Sequence, residues 1–254
     1  MAKRKKSLTR PVVFTILVLA ILAMGAYYLS EYFYRPPFVH YKAFGISLPT
    51  GYPIHGIDVS KYQQIISWKD VKNMQVNNVS VKFAFIKATE GISRIDEQFR
   101  RNWFQTQKAG LTRGAYHFFI SSKSGKAQAE NFLETVQLQK GDLPPVLDIE
   151  QANGASIADL QQRVADWLTM VENKYHVKPI IYTNVDFYKN FLAGRFDDYP
   201  LWVAHYLVPD RPRIERNWIF WQHNESGHVS GIKPFVDFNV FNGDSIRFQR
   251  LLLR

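Results

Sequence analysis

Residues 144–184 read PPVLDIEQANGASIADLQQRVADWLTMVENKYHVKPIIYTN, and they hold a complete strand–helix–strand unit. PPVLDIE (144–150) and PIIYTN (179–184) are short apolar runs of strand length. Between them Leu160, Val164, Trp167, Leu168 and Val171 fall on one helical face. Ser156, three residues before Asp159, supplies a capping box at the helix start. A strand followed by an amphipathic helix and a second apolar strand is the unit from which parallel sheets are built.

Working outward, the same alternation recurs. Strands are predicted at 56–60, 83–90, 113–119, 144–150 and 179–184, with three more at 201–206, 217–222 and 235–241. Ala129, Phe132, Leu133 and Val136 mark a helix before the fourth strand, and a shorter helical stretch, Asp186–Leu192, follows the fifth. LVPDRPRIER (207–216) carries two prolines and no helical period, so the last strands are predicted to join without helices. Eight mostly apolar strands with helices confined to the first five intervals predict an α/β, TIM-barrel-like closed barrel. A doubly wound open sheet is the alternative, but no GxGxxG or GxxxxGK[ST] loop supports a nucleotide-binding version.

The 254 residues are 46% hydrophobic and 21% charged, which excludes a disordered chain. The absence of cysteine excludes disulfide scaffolds, thiolate metal centres and cysteine nucleophiles. Lys3, Arg4, Lys5, Lys6 and Arg10 account for half of the net charge of +10, so no nucleic-acid partner is expected. Val12–Ser30 is nineteen residues without a charge, close to the roughly 20 needed to span a bilayer. The basic residues before it, and Tyr27, Tyr28, Tyr32, Phe33 and Tyr34 after it, predict a signal-anchor helix with everything downstream outside the cytoplasm. A cleaved signal peptide is the alternative, with a small-residue site near Gly25–Ala26. Residues 1–30 are thus expected as basic tail and transmembrane helix, and the aromatic, Pro- and Gly-rich residues 31–52 as a tether.

Acids stand where strands end. Asp58 lies near the end of the first strand, Asp148 and Glu150 end the fourth, and Asp237 lies in the last. Alternation puts 148 and 150 on one strand face with Ile149 on the other. One such acid is commonly a structural partner, but a barrel brings four strand ends together. Crowded carboxyls push one another's pKa values apart, an arrangement suited to glycosidic-bond cleavage or to a divalent metal. Tyr62, Tyr116, Tyr182, Trp202, Tyr206 and Trp221 follow or close strands and are read together as a sugar-stacking cleft, although core filling accounts for any one of them. Lys87, Thr89 and Glu90 supply either polar cleft contacts or a salt-bridged rim, and His117 and His205 have no assigned role.

The strings HGIDVSKYQ (55–63), FIKATEG (85–91), GAYHFF (114–119), LPPVLDIE (143–150), IIYTN (180–184), LWVAHY (201–206), WQHN (221–224) and VDFNVFNG (236–243) together resemble glycoside hydrolase family 25. These are the Chalaropsis-type lysozymes, or N-acetylmuramidases. The resemblance runs from about Pro53 to the C-terminus and so places the catalytic domain at 53–254. It implies a (β/α)5β3 barrel that needs no cofactor or metal and acts on peptidoglycan glycan strands, at the β-1,4 bond between N-acetylmuramic acid and N-acetylglucosamine. It implies Glu150 as general acid, Asp148 as the partner carboxylate, Asp58 and Asp237 as the remaining site acids, and Gln222 among the substrate-binding residues. Glu150 is then expected to hold the proton while Asp148 stays charged. A catalytically inactive glycan-binding barrel and a metal-dependent hydrolase using the same acids are the alternatives.

Overall fold

The computed structural model describes residues 9–33, 37–208 and 210–254. The chain divides after Pro37 into two units. In the first, α1 spans Thr9–Phe33. Its described side chains from Val12 to Ala26 are exposed. Among the described residues no helix is long and apolar enough to cross a membrane. The basic side chains at 3–6 and the ring of Tyr34 lie outside the described residues, as do the side chains of Arg10, Tyr27, Tyr32 and Phe33.

The second unit opens with a hairpin, β1 (Phe38–Tyr41) against β2 (Ile46–Pro49). The barrel follows: β3 (His55–Val59), α2 (Trp68–Asn73), the short β4 (Gln75–Val76), β5 (Val79–Glu90), the short β6 (Arg94–Ile95), α3 (Phe99–Lys108) and β7 (Thr112–Phe118). Next come α4 (Gly125–Thr135), β8 (Val146–Asp148), α5 (Ile157–Tyr175), β9 (Ile180–Asn184), α6 (Val185–Phe187) running into a π turn over Tyr188–Leu192, and β10 (Leu201–Ala204). β11 (Phe220–Gly227), β12 (Val236–Phe241) and α7 (Ser245–Leu251) complete the chain.

Strands β3, β5, β7, β8, β9, β10 and β11 are parallel in that order, and β12 runs antiparallel between β11 and β3 to close the barrel. All eight predicted strands are barrel strands. Helices follow the first five and, among the described residues, none separates β10 from β11 or β11 from β12. α5 starts as its sequence dictates, with the Ser156 hydroxyl accepting the Asp159 N–H at 3.1 Å.

Side-chain alternation sorts each strand into two faces. Ile57, Val59, Ala84, Ile86, Leu147, Ile149, Ile181 and Val203 point outward into the shell filled by Phe132, Leu160, Val164, Trp167, Leu168 and Val171. Phe83, Phe85, Val146, Ile180, Phe220 and Phe241 point inward and, with Phe248 of α7, plug the lower barrel. Two glycines make room for that plug. A Cβ at Gly56 would lie 2.4 Å from the Phe83 ring, and one at Gly114 2.5 Å from the Phe85 ring.

Residues 38–52 are not a tether. Phe44, Ile46 and Leu48 of the hairpin are buried, with Phe44 packed on Phe238 and Phe38 edge-on to Trp221. The hairpin covers the outer faces of β11 and β12, where the connecting segments supply no helix and the apolar faces would otherwise meet water.

Candidate active site

The inward positions one step above the aromatic plug are Asp58 of β3, Lys87 of β5, Tyr116 of β7, Asp148 of β8, Tyr182 of β9, Trp202 of β10, Gln222 of β11 and Asp237 of β12. Because the first seven strands are parallel, these residues meet at one end of the barrel. They line a cleft of about 390 Å³, joined by Ser60, Tyr62, Gln63, Phe118, Glu150, Tyr206 and Glu225. Lys87 is the one cation among the lining residues, facing five acids.

Four of the five acids form two pairs, Glu225 standing apart. Asp58 and Asp237 are register partners across β3 and β12 and share a hydrogen bond. Burial raises Asp58 to about 6, against the hydrogen bonds it receives from Asn239, Gln222 and Asp237. Burial and the neighbouring Asp58 charge raise Asp237 to about 9. Asp148 and Glu150 share the second hydrogen bond. Asp148 is wholly buried, no amide or hydroxyl donates to its Oδ1, and burial with the charge of Glu150 holds its pKa well above the carboxylate range. Glu150 is raised by burial and by Asp58, but its bond to Asp148 pulls it back.

Both carboxyls are thus held above their ordinary range, Asp148 as the deeper of the two and Glu150 partly open to the cleft. β8 ends at Asp148, and Glu150 lies two residues beyond it, so the two do not share a strand environment.

Two expected binding residues lie elsewhere. Trp221 points outward, fully buried against Phe38, Tyr52 and Trp218, with its indole N–H donating to the His205 carbonyl at 2.8 Å. Strand alternation excludes it once its neighbour Gln222 faces in. Glu90 does not line the cleft; it accepts Lys87 Nζ at 2.7 Å and Arg94 at 2.9 Å, the salt-bridged rim of the two readings. Lys87 itself lies over the Phe118 ring, 4.5 Å from its centroid. Trp202 lines the cleft floor but stacks on Phe85 at 4.4 Å, so it is part of the plug as well.

His117 is structural. It is buried on the outer face, bonded to the Thr89 hydroxyl at 2.7 Å and Gln128 Oε1 at 3.2 Å, and burial lowers its pKa to about 3. His205 Nδ1 accepts the Arg213 N–H at 3.1 Å, outside the cleft lining. Among the described residues no three His, Asp or Glu side chains converge as metal ligands.

Sequence reading missed the cleft-lining Ser60, Gln63, Phe118 and Glu225 and, behind the lining, the buried Asn239. It donates to Asp58 Oδ2 at 2.7 Å and accepts from the Trp202 indole at 2.8 Å. Its signal was available, since it stands two residues after Asp237 on the same strand face.

Residues 57–232, which include six whole barrel strands and the end of β3, match the family model for glycosyl hydrolases family 25. The chain belongs to glycosyl hydrolases family 25. It is 36% identical over 214 residues to Lysozyme M1 of Streptomyces globisporus, covering 78% of this chain and 71% of that one. It is 48% identical over 216 residues to the protein YegX of Escherichia coli K12, covering 85% and 78%. Among solved structures, a family 25 glycosyl hydrolase from Bacillus anthracis superposes with a TM-score of 0.74 at 33% identity, over 80% of this chain and 95% of that one. A bacterial lysozyme from Streptomyces coelicolor gives 0.71 at 33% identity, over 80% and 98%. Family 25 membership and these relatives make the protein a glycosidase of the lysozyme type, with a closed eight-stranded α/β barrel.

Proposed function

We propose that the protein is a muramidase that hydrolyses the β-1,4 bond between N-acetylmuramic acid and N-acetylglucosamine in peptidoglycan. The observation that carries the reading is the Asp148–Glu150 pair, two hydrogen-bonded carboxyls with raised affinity for protons at the wall of an acid-lined cleft. Glu150 meets the cleft and acts as general acid, handing a proton to the leaving glycosidic oxygen as the bond to the anomeric carbon breaks. Asp148 resupplies that proton from behind. It becomes a carboxylate as positive charge develops on the sugar, where an anion stabilises that charge or orients the 2-acetamido group. Water then adds to the anomeric carbon and returns a proton to the pair. Tyr62, Tyr116, Tyr182, Tyr206 and Trp202 offer ring faces and hydroxyls to the glycan.

The uncharged run Val12–Ser30, preceded by five basic residues, supports a further part of this reading: α1 anchors the enzyme in a membrane with the barrel outside the cytoplasm. Mass spectrometry of the fragments released from purified peptidoglycan tests the activity. Products ending in reducing N-acetylmuramic acid fit the proposal; reducing N-acetylglucosamine ends, or no release, refute it. Flotation of the full chain with membranes, resistant to carbonate, tests the anchor.

A further inference from the structure

Asp58 is held by two amides, and for one of them a neighbouring indole fixes the orientation. The Trp202 indole N–H lies 2.8 Å from Asn239 Oδ1, and an indole nitrogen only donates. The atom facing it is therefore the amide oxygen, and Asn239 must turn its NH₂ toward Asp58 Oδ2, 2.7 Å away. Gln222 repeats the arrangement: its Oε1 accepts the Tyr182 hydroxyl at 2.8 Å and the Tyr206 hydroxyl, which leaves Nε2 to donate to the same Asp58 Oδ2 at 2.7 Å. All of these atoms lie on the inner face of the barrel, and Asn239 is fully buried.

We infer that Asn239, aimed by the indole of Trp202, is a positioning residue that fixes Asp58 as a hydrogen-bond acceptor, so that the proton of the Asp58–Asp237 pair resides on Asp237. The inference rests on the muramidase reading for its catalytic consequence, though not for the proton placement. The titratable groups that face Asp58 are Asp237 of β12, Asp148 and Glu150 at the end of β8, Tyr116 of β7, Tyr182 of β9, Tyr206 after β10 and Lys87 of β5. Lys87, the one cation among the cleft-lining residues, is ion-paired to Glu90 at 2.7 Å, whereas the two neutral amides donate directly to Asp58 and hold it as an acceptor. A carboxylate fixed in this way accepts a sugar N–H or O–H, or faces a developing positive charge, without first losing a proton. Asp237, carrying the proton, presents a donor beside it. The cleft thus holds an acceptor and a donor side by side.

The test compares the full chain in mild detergent with Asn239→Leu, which has similar volume and no donor, and Trp202→Phe, which keeps a ring and removes the indole N–H. The pH dependence of kcat/KM on peptidoglycan is expected to shift its acid limb upward by about one unit in Asn239→Leu, a tenfold change in an ionisation constant. Trp202→Phe is expected to move it the same way by less, because Asn239 can then turn over. Carboxyl ¹³C titration of wild type, assigned with Asp58→Asn and Asp237→Asn, is expected to give the lower-titrating signal to Asp58, and Asn239→Leu to raise it. Acid limbs that superimpose on wild type in both variants while the unfolding temperature drops would reduce Asn239 to a packing role and overturn the inference. So would assignment of the lower titration to Asp237. If wild type releases nothing from peptidoglycan, the muramidase reading fails, and the carboxyl titration alone decides the proton placement. If Asn239→Leu does not fold, Trp202→Phe and the wild-type titration decide it.

Discussion

Asp58 and Asp237 face each other across adjacent antiparallel strands, and their carboxyl groups share a hydrogen bond inside the barrel. Asp58 is raised to about 6 and Asp237 to about 9 from ordinary values near 3.8. Between about pH 4 and 9 the folded chain therefore binds more protons than the unfolded one, and these groups make stability fall as pH rises. Buried His55, His117 and His223 work in the opposite sense, lowered to about 4, 3 and 3 from 6.5. They bind more protons when unfolded, so their contribution rises with pH and is complete by about 6.5. The two trends oppose each other in acid, and only the carboxyl trend remains above 6.5. Calorimetry is expected to show the midpoint of unfolding declining from pH 6.5 to 9. Asp237→Asn should raise it by several degrees at pH 9 and far less at pH 5. A flat wild-type profile above pH 6.5 would contradict the raised carboxyls.

Glu150→Gln keeps the size and hydrogen-bonding capacity of the general acid but has no proton to give. A fall in kcat of roughly 10²–10⁴-fold with little change in KM or unfolding temperature is expected. Asp148→Asn is expected to be comparably damaged, because an amide neither resupplies Glu150 nor takes up negative charge. Steady-state release of reducing ends from peptidoglycan measures both. An Asp148→Asn enzyme near wild-type rate would remove the relay and leave Glu150 acting alone.

Tyr62 and Trp221 separate cleft from core. Tyr62 is 72% exposed at the cleft mouth, whereas Trp221 is fully buried behind the sheet. Tyr62→Ala should raise KM several-fold and leave thermal unfolding unchanged. Trp221→Ala should cost about 3–5 kcal/mol of stability, as large-to-small changes of buried Trp do. Urea unfolding read beside KM distinguishes them; a Trp221→Ala enzyme that is stable but weakly binding would return that residue to the glycan site.

Much of this was legible in the sequence, because strand–helix alternation with period-2 and period-3.6 patterns specifies both the elements and the faces they bury. All eight barrel strands and the Ser156 cap followed from those periods. The four acids stood out as charges in apolar runs. What was not legible depends on register. Whether Trp221 or Gln222 faces the cleft is a one-residue question that strand boundaries uncertain by a residue or two cannot answer. The difference in depth between Asp148 and Glu150 depends on where β8 stops. The hairpin was hidden because each of its strands is only four residues long, too short for alternation to register against a background of Pro, Gly and aromatics.

That hairpin gives the remaining prediction, which concerns where the catalytic domain begins. Phe44, Ile46 and Leu48 are 0%, 4% and 1% exposed, and burial of each such side chain contributes roughly 1.5–3 kcal/mol. Their removal also uncovers Phe238 and the edge of Trp221, which the hairpin shields. The loss is a large part of the about 5–15 kcal/mol that holds an ordinary domain folded. A chain beginning at Phe38 should therefore unfold cooperatively, with the same midpoint as the full-length barrel. A chain beginning at Pro53, where the family resemblance starts, should unfold at a much lower denaturant concentration or aggregate on expression. Urea titrations followed by tryptophan fluorescence compare the two directly. Equal midpoints would show that the barrel closes its outer face without the hairpin, and residues 38–52 would then be dispensable to the fold.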